Sequence, residues 1–334
     1  MKSIDLNYDF VVFNPTDGAI WKNHPDGYYT ICVEDLKTIE GVTLVTAPLD
    51  TQPIWLRFLF GVHNSKRHKL PMKKIWYPLY FKRPRTKNKP LCFVFIQHYD
   101  IAYCQYLKRL YPYCKIVLIM RDLRRVTEDT APGYCDNPVW DMIMTIDENE
   151  ARDFGWIHID EFESKISVPK SKDYPESDVF FAGKAKDRLP RLLKIYDILT
   201  SAGLNCQYYL IGVPKDQRKE LPGIVYSDQQ MKYTDMLYHT VNTRCVLEIN
   251  QEEAVGYTSR FLEAVMFNKR LVTDNMSVKK NKFYDPAFIQ CLSNVEEISP
   301  DFVKDDREVN YHYTDEFSPV HLIKLIDKYI NERK

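Results

Sequence analysis

The sequence predicts an α/β protein made of two doubly wound domains, each a parallel sheet covered by helices. Three observations predict it. The chain has 334 residues, beyond the size at which a single hydrophobic core keeps growing. Short continuous apolar runs, such as Leu91-Cys92-Phe93-Val94-Phe95-Ile96 and Cys245-Val246-Leu247-Glu248-Ile249, alternate with stretches of helical period. That is the pattern of strands buried on both faces. The alternation lapses across a charged stretch, 157–177, that contains Pro169 and Pro175, and then it restarts.

The elements follow in order. Residues 9–13 and 28–33 read as short strands, and 54–62 as a short apolar helix. The run at 91–96 is a buried strand bounded by Pro90 and Gln97. Ile101, Cys104, Leu107 and Leu110 recur at helical spacing until Pro112 stops them. Residues 115–120 and 141–146 are the next strands, and Asp147 is placed to cap a helix with Glu148 and Glu150 in its first turn. After the 157–177 linker, 178–182 is a strand and 190–202 a helix ended by Gly203. Residues 206–211 and 223–226 are strands, and Ser227 or Asp228 caps a helix through Thr240. Strands at 245–249 and 270–273 flank a loop and a helix start, and 319–332 is an amphipathic closing helix. The expected division is 1–165, 166–318 and a last helix at 319–334.

Lys+Arg and Asp+Glu both number 46, so no overall field points to nucleic acid or to a membrane. Cations interleaved with aromatics at 67–85 fit a basic surface segment first, and a contact with an anionic membrane face second. The eight cysteines form no Cys-x-x-Cys pair and several lie in apolar runs, which suits small buried thiols in a reducing compartment. No signal-peptide pattern opens the sequence, and no run approaches the ~20 apolar residues of a spanning helix. A cytoplasmic protein is expected, peripheral at most to the inner face of a membrane.

Two segments suggest chemistry. The first is Gly256-Tyr257-Thr258-Ser259-Arg260-Phe261-Leu262-Glu263, between two buried strands. A loop leading into a helix offers unpaired N–H groups and a partial positive charge to a phosphate. A carboxylate one turn in, Glu263, suits two neighbouring hydroxyls such as those of a ribose. The second is Gly183-Lys184-Ala185-Lys186-Asp187-Arg188, where a strand ends in glycine and cations. Glycine lets a phosphate approach the backbone, and Lys184 and Arg188 can neutralise a diphosphate. Both segments follow strands of one doubly wound sheet, so both belong on its ligand-binding crevice. No Gly-x-Gly-x-x-Gly and no Gly-x-x-x-x-Gly-Lys-[Ser/Thr] occurs, which argues against a dinucleotide dehydrogenase or a P-loop ATPase. No Asp-x-Asp occurs either, so no metal site is expected.

With these segments in place the chain resembles GT-B glycosyltransferases, and more narrowly bacterial enzymes of capsule, exopolysaccharide and lipopolysaccharide assembly. The resemblance is carried by 178–188, Met231-Lys232-Tyr233-Thr234-Asp235-Met236-Leu237, Val246-Leu247-Glu248-Ile249-Asn250-Gln251 and 260–275, and it covers about residues 91–275. It implies two Rossmann-like domains facing a cleft, with a nucleotide-sugar donor held by the second and the last helix packed back across the hinge. The donor is a co-substrate, most fittingly UDP-linked, and no cofactor or metal is implied. Glu263 would bind the ribose. Gly256, Thr258, Ser259 and Arg260 would line the diphosphate, Lys184 and Arg188 would stabilise it as it leaves, and Gly183 and Tyr257 would belong to the same donor site. Tyr226 and Ser227 would meet the base. The acceptor would be a glycan or a lipid-linked glycan.

One departure matters. Many retaining members carry a Glu eight positions before the helix Glu, where this chain has Val255. Glu248-Ile249-Asn250 followed by Gly256-Tyr257-Thr258 resembles the donor loop of inverting fucosyltransferases, which tilts the reading towards inversion. Inversion needs a general base within reach of the acceptor hydroxyl. His98, Asp100 and Asp122, at the ends of first-domain strands, are the candidates, with His98 and Asp100 ranked first. The rival readings are a nucleotide-sugar epimerase on the same two domains, and a non-catalytic clamshell that binds a nucleotide or sugar.

Overall fold

The structure is a computed structural model and describes residues 2–14, 27–46, 53–64, 77–79, 89–97, 100–129, 131–251 and 256–332. His98, Val255, Asp17-Gly18 and most of the 67–85 segment lie outside the described residues. The chain divides into two compact units. The first comprises Met1–Ser164 and Phe317–Lys334, and the second Lys165–Glu316.

The first unit holds strands β1 (Asp9–Asn14), β2 (Val42–Thr46), β3 (Leu91–Ile96), β4 (Lys115–Met120), β5 (Met142–Thr145) and β6 (Ile157–His158). Its helices are α1 (Tyr28–Ile31), α2 (Ile54–Asn64), α3 (Ile101–Leu110), α4 (Arg124–Glu128) and α5 (Glu148–Phe154). The strands form one parallel sheet in the order β2-β1-β3-β4-β5-β6. Because side chains alternate across a strand, Val11, Phe13, Phe93, Phe95, Ile116 and Leu118 face one core, packed against Tyr103 and Leu107 of α3. Phe10, Val12, Cys92, Val94, Val117 and Ile119 face the other.

The second unit holds β7 (Ser177–Lys184), β8 (Cys206–Ile211), β9 (Ile224–Ser227), β10 (Thr243–Glu248), β11 (Arg270–Thr273) and β12 (Ile289–Cys291). Helices α6 (Leu189–Ser201), α7 (Tyr233–Asn242) and α8 (Ser259–Met266) connect strands, and α9 (Pro300–Lys304) follows β12. The sheet is again parallel, in the order β12-β11-β10-β7-β8-β9. Read from β9, this is the doubly wound order 3-2-1-4-5-6, whose switch point lies between β7 and β10. Val179, Phe181, Tyr208, Leu210, Cys245 and Leu247 pack against Leu192, Ile195 and Leu199 of α6. The α/β class of two Rossmann-like, doubly wound units is the one the sequence predicts.

The closing helix α10 (Pro319–Glu332) belongs to the first unit. Leu322, Ile323, Ile326 and Ile330 enter the same core as Phe10 and Val12. Each such burial contributes roughly 1.5–3 kcal/mol. The buried Asp327 accepts hydrogen bonds from the Asn7 backbone at 2.9 Å, the Asn7 amide at 2.8 Å and the Tyr8 backbone at 3.2 Å. The last helix thereby fixes the approach to the first strand.

Three local expectations change. Residues 28–33 are not a strand: α1 is a single helical turn that delivers Ile31, Cys32 and Val33 to the core, where packing overrides β propensity. Ser227 and Asp228 do not cap α7, which starts at Tyr233 after Lys232. Ser227 Oγ instead closes a turn with Gln229, accepting its N–H at 3.0 Å, and Asp228 pairs with Arg218 at 3.0 Å. The stretch 157–177 is not linker throughout, because it contains β6 and the buried Glu161, Phe162, Glu163 and Ser164. Strands β2 and β12 and helices α4 and α9 are absent from the sequence reading. All eight cysteines are free thiols, and only Cys291 is not fully buried.

Candidate functional site

A cavity of about 190 Å³ opens at the switch point of the second sheet, lined by Phe181, Ala182, Arg188, Glu248, Ile249, Asn250, Thr258, Ser259 and Arg260. Its floor follows from topology: β7 and β10 are adjacent and parallel, with Phe180 opposite Val246, so their C-terminal ends share one edge. One wall is the start of α8, where Thr258 caps the helix by accepting the Arg260 N–H at 3.1 Å. The first-turn N–H groups give that wall positive potential.

Two arginines stand at this edge. Arg188 donates to the carbonyls of Lys184, at 2.8 Å, and Ile249. Its guanidinium lies 5.2 Å from the Phe181 ring centroid. Burial pulls its pKa down from the usual arginine range, and the nearby Arg260 acts in the same direction. Arg260 pairs with Glu263, and Asp187 and Asp274 lie near Arg188, so the two guanidiniums are held in place as donors at an edge where an anion can meet both. Arg260 is braced by Glu263 and Met236 and reaches the Ala182 carbonyl at 3.4 Å.

Glu263 does not open onto the cavity. It is completely buried one turn into α8, bonded to Arg260 on one oxygen and to the Tyr233 hydroxyl at 2.9 Å on the other. Burial pushes its carboxyl above the usual range, opposed by Arg260 and Tyr233. In this geometry it positions Arg260, which differs from the ribose contact the sequence resemblance implies. Glu263→Gln keeps an acceptor for Tyr233 but removes the charge that holds Arg260. It is expected to cost roughly 2 kcal/mol of stability in urea unfolding.

The carboxylate that does line the cavity is Glu248, at the end of β10 and 2% exposed. It accepts the hydroxyls of Thr258 and of Thr273 from the neighbouring β11. Burial lifts its pKa, those two hydroxyls and Arg260 oppose the rise, and Asp274 adds to it. Glu248 was not among the site residues expected from sequence, and the signal that marks it is a lone acid inside an apolar strand. Behind the cavity, Arg191 donates to Asp274 and to the Asn250 carbonyl, both at 2.8 Å. Asp274 also accepts the Asn250 N–H at 2.8 Å, which fixes the loop that follows β10.

The other donor-side candidates scatter. Lys184 is exposed at the end of β7 and is not among the lining residues. Gly256 has φ +71° and gives its carbonyl to the Asn275 amide at 2.9 Å. Tyr257 packs on Phe261 with ring centroids 5.1 Å apart. Tyr226 and Ser227 lie on β9, with β8 between them and β7. Gly183 matters for space, since a Cβ there would come 2.9 Å from an Arg188 guanidinium nitrogen. Gly183→Ala is expected to push Arg188 aside, weakening anion binding several-fold in a titration for less than about 1 kcal/mol of stability.

In the first unit Asp100 caps α3, accepting the Ala102 N–H at 3.0 Å, and also accepts the Tyr77 hydroxyl at 3.1 Å. Asp122 follows β4, is exposed, and accepts the Gln97 amide at 3.0 Å. Gln97 directly follows β3 with φ +64°, an uncommon conformation for a residue with a side chain. Its amide thereby ties together the ends of two adjacent strands.

No family model matches the chain, and no curated protein matches it. Among solved structures it is similar to the glycosylation-associated protein complex Gap123 from Streptococcus agalactiae, with TM-score 0.41 and 10% identity over 73% of this chain and 53% of that one. It is similar to a putative UDP-N-acetylglucosamine 2-epimerase from Listeria monocytogenes, with TM-score 0.49 and 9% identity over 98% of this chain and 96% of that one. It is also similar to S. aureus MnaA in a co-structure with UDP, with TM-score 0.47 and 13% identity over 99% and 97%. The chain spans about half the length of the Gap123 chain it matches. Identity this low says nothing of activity, and the two Rossmann-like units are read from the sheets themselves.

Proposed function

We propose that this chain is a glycosyltransferase. It takes a sugar from a nucleotide diphosphate donor held in the second unit and passes it to a glycan or lipid-linked glycan. One observation carries the reading: the switch-point cavity combines Arg188, Arg260 and the start of α8 around a space suited to a diphosphate. Transfer breaks the bond between the anomeric carbon and the diphosphate, which leaves with both electrons. Fixed arginines and a helix end stabilise that developing charge. The UDP linkage and a role in bacterial surface polysaccharide synthesis come from the sequence resemblance.

For an inverting transfer the acceptor hydroxyl must lose its proton as it attacks. Asp122 is the base we assign, because both oxygens of Asp100 are taken, by the α3 cap and Tyr77, whereas Asp122 is exposed and gives one oxygen to the Gln97 amide. Calorimetric titration with uridine, UDP, GDP and their sugar conjugates tests the donor site. Diphosphates should bind far more tightly than the nucleoside, and equal affinity for uridine and UDP would end the reading.

A further inference from the structure

Helix α2 presents an apolar face to solvent. Ile54, Trp55 and Phe58 are 69%, 54% and 63% exposed, while Leu56 is 3% exposed and seats the helix on the first unit. At about 100° per residue, positions 54, 55, 58 and 62 share one arc, and position 56 lies well outside it. A helix that is apolar on both its inner and outer faces is ordinarily covered on both.

The sequence around α2 indicates what covers it. Between Asp50 and Asp100 there are 11 lysines and arginines and no acidic residue, in a chain whose formal net charge is zero. Positive charge concentrated in the sequence that follows exposed Ile54, Trp55 and Phe58 is the combination by which an interfacial segment binds an anionic bilayer. The indole of Trp55 suits the level of the lipid headgroups.

We propose that α2 is an interfacial element that seats the first unit on an anionic lipid surface, with Ile54, Trp55 and Phe58 as the inserted residues. This stands apart from the transferase reading, since it needs no turnover. The experiment is co-sedimentation of the full chain with vesicles of phosphatidylglycerol and phosphatidylcholine, and of phosphatidylcholine alone, at low and high salt. Binding is expected to the anionic vesicles only and to weaken as salt rises.

A triple variant, Ile54→Ser, Trp55→Ser and Phe58→Ser, should lower partitioning at least about tenfold. Its UDP titration and urea midpoint should match the wild type, because all three positions are exposed. Lipid-borne bromine should quench part of the wild-type tryptophan emission and spare that part in Trp55→Phe. No sedimentation at low salt, equal binding to phosphatidylcholine alone, or wild-type partitioning by the triple variant would each overturn the proposal. A wild-type dimer that the triple variant dissolves would assign the face to a second copy of the chain instead.

Discussion

Arg188→Ala is expected to lower UDP affinity about a hundredfold while leaving uridine affinity unchanged, a loss of about 2.7 kcal/mol confined to the diphosphate. The guanidinium is already aimed by the Lys184 and Ile249 carbonyls and by the Phe181 ring, so little entropy is lost when an anion arrives. Arg188→Lys should fall between the two, since a point charge keeps attraction but loses the two-pronged geometry. Calorimetry with UDP and uridine measures the split, and a urea midpoint confirms that the variant is folded. A change under about threefold in UDP affinity, with the fold intact, would remove Arg188 from the site.

The second large effect lies in the first unit. Arg121 follows β4 and is almost wholly buried, paired with the equally buried Glu161. Its guanidinium also meets the Tyr28 hydroxyl and lies 4.9 Å from the centroids of both the Tyr28 and Phe162 rings. It approaches the sulfur of Cys32 at 3.6 Å, a thiol that burial pushes up to about 12 and keeps neutral. Arg121→Ala leaves the Glu161 carboxylate buried and unpaired, at an expected cost of about 3–5 kcal/mol. That is a large share of the 5–15 kcal/mol, roughly, that holds a domain folded. Arg121→Met with Glu161→Leu should recover much of the loss, because removing both charges avoids the stranded one. All five tryptophans, at 21, 55, 76, 140 and 156, fall before residue 165, so their fluorescence in urea follows this unit.

The buried strands were legible because they are apolar without interruption. Residues 91–96, 115–120 and 270–273 are buried on both faces and need no partner to be recognised. The cap of α5 was legible for a local reason, since Asp147 accepts the N–H of Glu150 three residues on. The short edge strands β2 and β12 bury less and carry polar residues, so their pattern fades into the loops. In the candidate site, Arg188, Thr258, Ser259 and Arg260 stand out because glycine, cations and a helix start sit close together in sequence. The Glu248–Thr273 and Arg191–Asp274 pairs join residues 25 and 83 positions apart, and nothing local announces them. Glu263 shows the opposite case: its place in the helix is evident, yet its burial beside Arg260 involves Tyr233, 30 positions upstream.

The first unit is interrupted by the second and completed by α10. During synthesis the whole 165–316 sequence leaves the ribosome before residues 317–332, which finish the first core. The inserted unit is therefore free to fold as a unit while its host still lacks a helix. Until α10 docks, Phe10 and Val12 lack its four aliphatic side chains, and the backbone N–H groups of Asn7 and Tyr8 lack the carboxylate that receives them. The nascent chain thus carries an exposed apolar sheet face for the time it takes to make one complete domain.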